Sequence, residues 1–343
     1  MYWAGEKAGA GVSGGGGAGE GHSSIGVTSP ANTWYLPEGS SAWGFECWLL
    51  IQNPGSGEAH CQVTYMIEGA QPVTVTKVIP PGTRRSFNMA DDIGTADASI
   101  KVASDVPVVP ERSMYRDNRR EGSNSIGTTA PAEDYYLSEG TTAWGFTTYV
   151  LVQNPNPVPA NVTVTYMTPS GSFATAPRTI PAGSRKTIKV NDEAPNTDLS
   201  VKVHGSQPII AERAMYWDGA GGEACHDSIG LDAPHRVFLL PGGLAGQFGQ
   251  QWFETWTLVQ NPNDVDVKVR VSYLTDGAKS NTTFDAVVRA NSRMSFNMGD
   301  KLAAGRAGVL VECLTPGRKI MAERSTYWNG RGSGVCTIGG FSD

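Results

Sequence analysis

The chain repeats itself three times, and that constrains its fold more than any bulk property. Gln-Asn-Pro begins at Gln52, Gln153 and Gln260; Ile-Gly begins at Ile25, Ile126, Ile229 and Ile338; Glu-Arg begins at Glu111, Glu212 and Glu323. Units of about 100 residues are of ordinary domain size and long enough to bury their own cores, unlike the 20 to 45-residue units of solenoids. The spacing predicts an orphan strand and Gly-rich tether over 1–24, sandwich repeats over 25–117, 126–218 and 229–329, and a C-terminal tail over 330–343. The Gly-rich stretches Asp117 to Asn124 and Asp218 to Asp227 read as linkers.

Within a unit the pattern is that of strands. Val63-Thr64-Tyr65, Val164-Thr165-Tyr166 and Val271-Ser272-Tyr273 alternate apolar and polar, the period of a strand with one buried face. With 42 Gly and 21 Pro, and charged residues at only 17%, the chain is rich in turn formers. Cys47 to Gln52 and Ser56 to Ile67 read as a hairpin around Asn53-Pro54-Gly55, with the third turn residue (Gly55, Asn156, Asn263) left-handed. A second turn, with Gly82, Gly183 or Asn291 at one place, separates two further strands. About seven strands per unit predict an all-β protein of three tandem immunoglobulin-like or fibronectin-like β-sandwich domains behind a Gly-rich N-terminal tether.

Under the hairpin reading Cys47 and Cys61 face each other, and a disulfide between them is expected. Five cysteines point to an oxidising compartment and leave one of Cys225, Cys313 and Cys336 without an intramolecular partner.

Recurring residues offer little chemistry. The Gly9 to Gly15 matches to dinucleotide and nucleophile-elbow patterns follow no strand and open no helix, so they reflect glycine content. The five histidines read as scattered surface residues with no zinc spacing, and Asp91, Asp92 and Asp97 with Asp192, Glu193 and Asp198 read as solvated turn acids rather than a calcium site. No cofactor or metal is expected. Glu111, Arg112, Glu212, Arg213, Glu323 and Arg324 read as structural ion-pair residues, the glutamates pairing across strands with Arg84, Arg185 and Arg293. A glycosidase needs two carboxylates together, and no second acid recurs in all three units, so no catalysis is expected. The recurring aromatics, Trp43, Trp144 and Trp252 among them, read first as core or inter-unit packing; stacking on sugar rings, which needs them exposed, is the alternative. Asn161-Val162-Thr163 and Asn281-Thr282-Thr283 match the glycosylation pattern, which is too short to decide anything.

A net charge of -6 gives no attraction to a phosphate backbone, which argues against nucleic acid. No apolar run approaches the roughly 18 residues of a membrane span, and Met1 to Gly5 lacks the basic and apolar regions of a signal peptide.

Glu-Arg-Ala-Met-Tyr-Trp at Glu212 to Trp217, Asp-Ser-Ile-Gly at Asp227 to Gly230, Tyr-Leu-Pro-Glu-Gly at Tyr35 to Gly39 and Val-Gln-Asn-Pro-Asn at Val259 to Asn263 resemble uncharacterised tandem repeats of secreted and surface bacterial proteins, including those of actinobacteria. The resemblance implies an extracellular, cell-surface location and supplies no binding or catalytic residue. Unit 3 departs from it around Gly242 to Gln251 and at Thr326.

Met1-Tyr2-Trp3 matches Met215-Tyr216-Trp217, which closes a unit, so the chain reads as beginning mid-repeat. The expectation is a non-enzymatic extracellular structural protein, a head-to-tail homopolymer in which Met1, Tyr2 and Trp3 form the assembly strand docked on a neighbour. The alternative is a carbohydrate-binding or adhesive appendage of a secreted enzyme, whose partners are cell-surface glycans.

Overall fold

A computed structural model describes residues 21–219, 222–277 and 280–343. Among these the chain is an all-β sandwich protein. Its strands hydrogen-bond in three systems: seven strands within 31–126, eight within 132–229 and ten within 237–342. No helix of the described residues is long and apolar enough to cross a membrane.

The first system shows the plan. Its strands are β1 (Ala31–Leu36), β2 (Glu46–Asn53), β3 (Ala59–Ile67), β4 (Val73–Ile79), β5 (Thr83–Asn88), β6 (Ala98–Arg116) and β7 (Glu121–Ile126), and a short helix (Met89–Ile93) follows β5. β6 is 19 residues long and belongs to both layers. Its first half pairs with β3 and β1, with Ile100 opposite Tyr65 and Leu36; its second half pairs with β2 and β7, with Glu111 opposite Leu50 and Ile126. The switch falls near Pro107 and Pro110, residues that cannot donate to a ladder. Strand alternation then sends Leu49, Ile51, Val63, Tyr65, Ile100 and Val102 into the space between layers, all wholly buried. The equivalent strand Ser200–Gly219 keeps this plan, whereas in the third repeat it is divided into Gly305–Cys313 and Met321–Trp328.

The expected hairpin is not formed. β2 pairs with β5 and β6, and β3 with β4 and β6, so Asn53-Pro54-Gly55 crosses from one layer to the other. A buried asparagine fastens the crossing. Asn53 Nδ2 donates to Gly57 O (2.8 Å) and Ile79 O (3.0 Å), while its Oδ1 accepts from Gly55 N at 3.0 Å. Asn154 and Asn261 repeat the arrangement, each with three carbonyl acceptors. Gly55, Asn156 and Asn263 are therefore not left-handed; they bond to the asparagine. In the second turn the expected left-handed residues are present, Gly82 at φ 65°, Gly183 at 57° and Asn291 at 47°.

The five cysteines form no disulfide and all are buried, Cys47 and Cys61 included. The bridge rested on a β2–β3 ladder that does not exist. The segments read as linkers are strands as well: β7 pairs with the end of β6, and Gly222–Ile229 pairs with the end of Ser200–Gly219. These strands bring the repeats together. Asn124 to Ile126, Asp227 to Ile229, Cys336 to Ile338 and Ser23 to Ile25 are repeat-equivalent, and all four line one narrow channel. Gly21 faces the Trp328 ring, which a Cβ at this position would meet at 3.5 Å, and Ser23 Oγ donates to Cys336 O at 3.2 Å, so the circuit around this axis closes within one chain. Met1, Tyr2 and Trp3 lie outside the described residues.

Candidate functional site

Glu111 and Arg112 are neighbours on β6, so they point to opposite sides of the sheet. Glu111 accepts from Asn124 Nδ2 in its own repeat. Arg112 is wholly buried and ties its own repeat to the next: Nη1 donates to Glu38 of the first repeat, and Nη2 to Glu212 Oε1 at 3.1 Å and to Asp227 of the second. Glu212 also accepts the backbone N–H of Glu38 at 3.1 Å, and Tyr216 donates its hydroxyl to Glu38 at 3.1 Å.

The second and third repeats meet in the same way. Arg213 Nη2 donates to Glu323 Oε1 at 3.0 Å and stands 3.5 Å from Glu139. Glu323 accepts the Glu139 N–H at 3.0 Å, and Tyr327 donates to Glu139 at 2.8 Å. Where the first junction has Asp227, the second has Cys336, whose thiol donates to Glu323 at 2.9 Å. His226 joins it, 3.0 Å from Arg213 and 3.1 Å from Tyr327. Arg84 is exposed, and Arg185 and Arg293 donate instead to the carbonyls of Gly39 (3.0 Å) and Gly140 (2.7 Å), so the partners expected for the glutamates are not the ones they have.

Charge separates the two junctions. The first holds three carboxylates around one guanidinium; burial, which Arg112 only partly offsets, raises Glu38 to about 7. At the second, burial disfavours the Glu139 carboxylate, but His226 and Arg213 hold it down at about 2. Burial lowers His226 to about 4, so its ring is neutral near pH 7 and is not the surface histidine expected. Two triads, Glu38 with Glu212 and Asp227 and Glu139 with His226 and Cys336, are close enough to hold a cation. In each the guanidinium already occupies the carboxylates. The turn acids are engaged too: Asp92 accepts from Tyr65 and Lys77, and Glu193 from Tyr166 and Arg178.

Above each junction lies a cleft. The one between the first and second repeats has a volume of about 750 Å³, with Glu38 and Arg185 at its floor and Trp43, Asp97, Arg116 and Tyr149 on its walls. The one between the second and third is about 230 Å³, with Glu139 and Arg293 below and Trp144, Asp198, Trp256 and Arg331 around it. Trp43 and Trp144 stand at equivalent rims, 77% and 76% exposed. Each opens a tight turn, closed by Phe45 N–H to Ala42 O (2.9 Å) and Phe146 N–H to Ala143 O (3.0 Å), in which both central residues are left-handed. Gly44 and Gly145 take this readily at φ 81° and 83°; Trp43 and Trp144 take it at 58° and 59°, a conformation unfavourable for a bulky side chain. Trp43 Nε1 donates to Asp97 Oδ2 at 3.2 Å. The Arg116 guanidinium lies 5.1 Å over the Phe45 ring and 5.4 Å over Tyr216. Trp252 is 62% exposed on the strand Gln251–Asn261 and lines neither of these two clefts.

Residues 93–332 match the model of a family of unknown function, DUF5719. No curated protein matches the sequence. Among solved structures, Thermotoga maritima 1070 is 26% identical over 29% of this chain and 94% of its own, with a TM-score of 0.27. The Anabaena sensory rhodopsin transducer is 22% identical over 25% of this chain and 83% of its own, at 0.22. A GH2 beta-galacturonidase from Eisenbergiella tayi is 10% identical over 90% of this chain and 43% of its own, at 0.21. Scores of this size assign nothing to the chain.

Proposed function

For a chain that belongs to DUF5719, a family of unknown function, we propose a non-enzymatic, extracellular binding module that holds a carbohydrate in the cleft between its first and second repeats. The observation that carries this reading is the pair Trp43 and Trp144. A bulky residue at positive φ costs about 1–3 kcal/mol, and strain of this kind clusters at functional sites. Here the same strain recurs at two equivalent rims and leaves both indole faces open to solvent. An exposed tryptophan offers an apolar face to a sugar ring, and Asp97, Glu68 and Arg116 within the same cleft offer partners to its hydroxyls. Glu38 and Glu212 are buried and taken up by Arg112, which supports binding over hydrolysis.

The head-to-tail homopolymer rested on Met1 to Trp3, which lie outside the described residues, and the end of the tether at Gly21 to Ile25 packs within its own chain. The cleft is therefore the better-supported site. A glycan array probed with the full chain, followed by calorimetric titration of the best glycan, tests it. Saturable binding that Trp43→Ala weakens at least tenfold is expected; no saturable binding on the array, or an affinity indifferent to Trp43, sinks the reading.

A further inference from the structure

The two junctions within the chain show what this sandwich is built to touch. At both, a glutamine and an arginine of the later repeat enter the earlier one. Gln153 Nε2 donates to Ile100 O at 3.3 Å and lies 3.5 Å from Met66 Sδ; Gln260 Nε2 donates to Val201 O at 3.1 Å and lies 3.4 Å from Met167 Sδ. Both glutamines are fully buried, as are Arg185 and Arg293 to within 3% and 4%, with the bonds to Gly39 and Gly140 described above.

The first repeat carries the same residues at the same positions, Gln52 on β2 and Arg84 on β5, and both are exposed. Leu50, half-buried, stands where Leu151 and Leu258 are each only 4% exposed. The opposite end of the chain has the complementary surface. Met66 and Met167 are 3% and 2% exposed, whereas Leu274, at their position in the third repeat, is 40% exposed. Between these surfaces the channel is completed by the short segment Gly21 to Ile25. In the first and second repeats each channel strand continues directly from its own sandwich.

We infer that the face of the first repeat bearing Gln52, Arg84 and Glu111 is a docking surface for one further sandwich of this same repeat type, presented in tandem ahead of Gly21. The incoming unit places its counterparts of Met66 and Ile100 on Gln52, its counterpart of the Gly39 carbonyl on Arg84 and its counterpart of Arg112 on Glu111. Its other side covers Leu274. Polar matching favours this occupant over an unrelated protein, because each polar group named on the face has a counterpart that meets a partner of known type at both existing junctions.

The test uses the full chain extended by a copy of residues 126–214 joined ahead of Met1, so that Met1-Tyr2-Trp3 follow in the register of Met215-Tyr216-Trp217. A second form carries the copy after Asp343 on a flexible glycine linker. Hydrogen exchange is compared with that of the 343-residue chain. Docking is expected to slow exchange at least tenfold in β5 and in Val267–Thr275 in one or both forms, and Arg84→Glu is expected to reverse the effect in β5 while the copy keeps its own protection. Unchanged exchange of β5 in both forms, whether or not the copy folds, overturns the proposal, as does protection of β5 that is indifferent to Arg84→Glu.

Discussion

Arg112 donates to Glu212 across 100 positions of sequence at 3.1 Å, with the guanidinium wholly buried, and Arg213 stands to Glu323 in the same way at 3.0 Å. The repeats are thus joined by buried charge. Removing one partner of such a pair leaves the other charge unpaired in a low-dielectric setting. Arg112→Met should cost about 3–5 kcal/mol in urea unfolding. Hydrogen exchange should locate the loss in β7 and Gly222–Ile229, leaving β3 and β4 protected.

The two junctions should respond to pH in opposite senses. Glu38 is raised from 4.5 to about 7, so the folded protein holds a proton there that the unfolded chain has released. Its contribution is complete below pH 4.5 and is lost as pH rises through about 7. Glu139 is lowered to about 2, so its contribution is complete above pH 4.5 and is lost as pH falls toward 2. Glu38→Gln should flatten the fall in stability between pH 5 and 8, by at most about 3 kcal/mol. Glu139→Gln should instead lower stability at pH 7. Denaturant titrations across pH separate the two.

Asn154 is wholly buried with its amide donating to the carbonyls of Val158, Ile180 and Pro181. Asn154→Asp keeps the shape and replaces the donor by an acceptor among three acceptors, so a loss of about 4 kcal/mol is expected from the buried unsatisfied groups. A change below about 1 kcal/mol in the unfolding midpoint analysis would mean that the crossing is fastened by something else.

What the sequence reveals of this fold follows the range of the interactions involved. The repeat period and the strand alternation are local or nearly so, and Gly82, Gly183 and Asn291 announce their backbone by residue type alone. The Gln-Asn-Pro segment misleads because a tight turn between two apolar runs looks alike whether the runs pair with each other or enter different layers. Only the distant partners β5 and β6 decide. The Glu-Arg dipeptide is visible, but its pairing with the neighbouring repeat is not. Glu38 and Glu139 are not legible as a recurring pair, because Gly242 breaks their recurrence in the third repeat. His22 and His226 lie three residues ahead of Ile25 and Ile229, the same place in the repeat, and this recurrence is the one sequence sign of an interior histidine.

Trp43 is exposed and left-handed, so Trp43→Gly removes backbone strain and little packing. Thermal unfolding should show stability unchanged or raised by up to about 1 kcal/mol. A clear loss would show that the indole supports the fold.

All five thiols are buried, and burial pushes Cys47 up to about 12. The reactive thiolate is therefore scarce and shielded. Ellman's reagent should find no fast-reacting thiol in the native protein and five after unfolding in denaturant.

The bond from Ser23 to Cys336 spans 313 positions. A polypeptide emerges from the ribosome from its N-terminal end, so Gly21 to Ile25 leave the exit tunnel long before the strand they must meet has been translated. The inner wall of the channel therefore stays open to solvent or to chaperones while the chain between Ile25 and Cys336 is translated. Premature termination between the end of the second repeat at Ile229 and Cys336 would release a protein with folded early repeats and an unfinished axis.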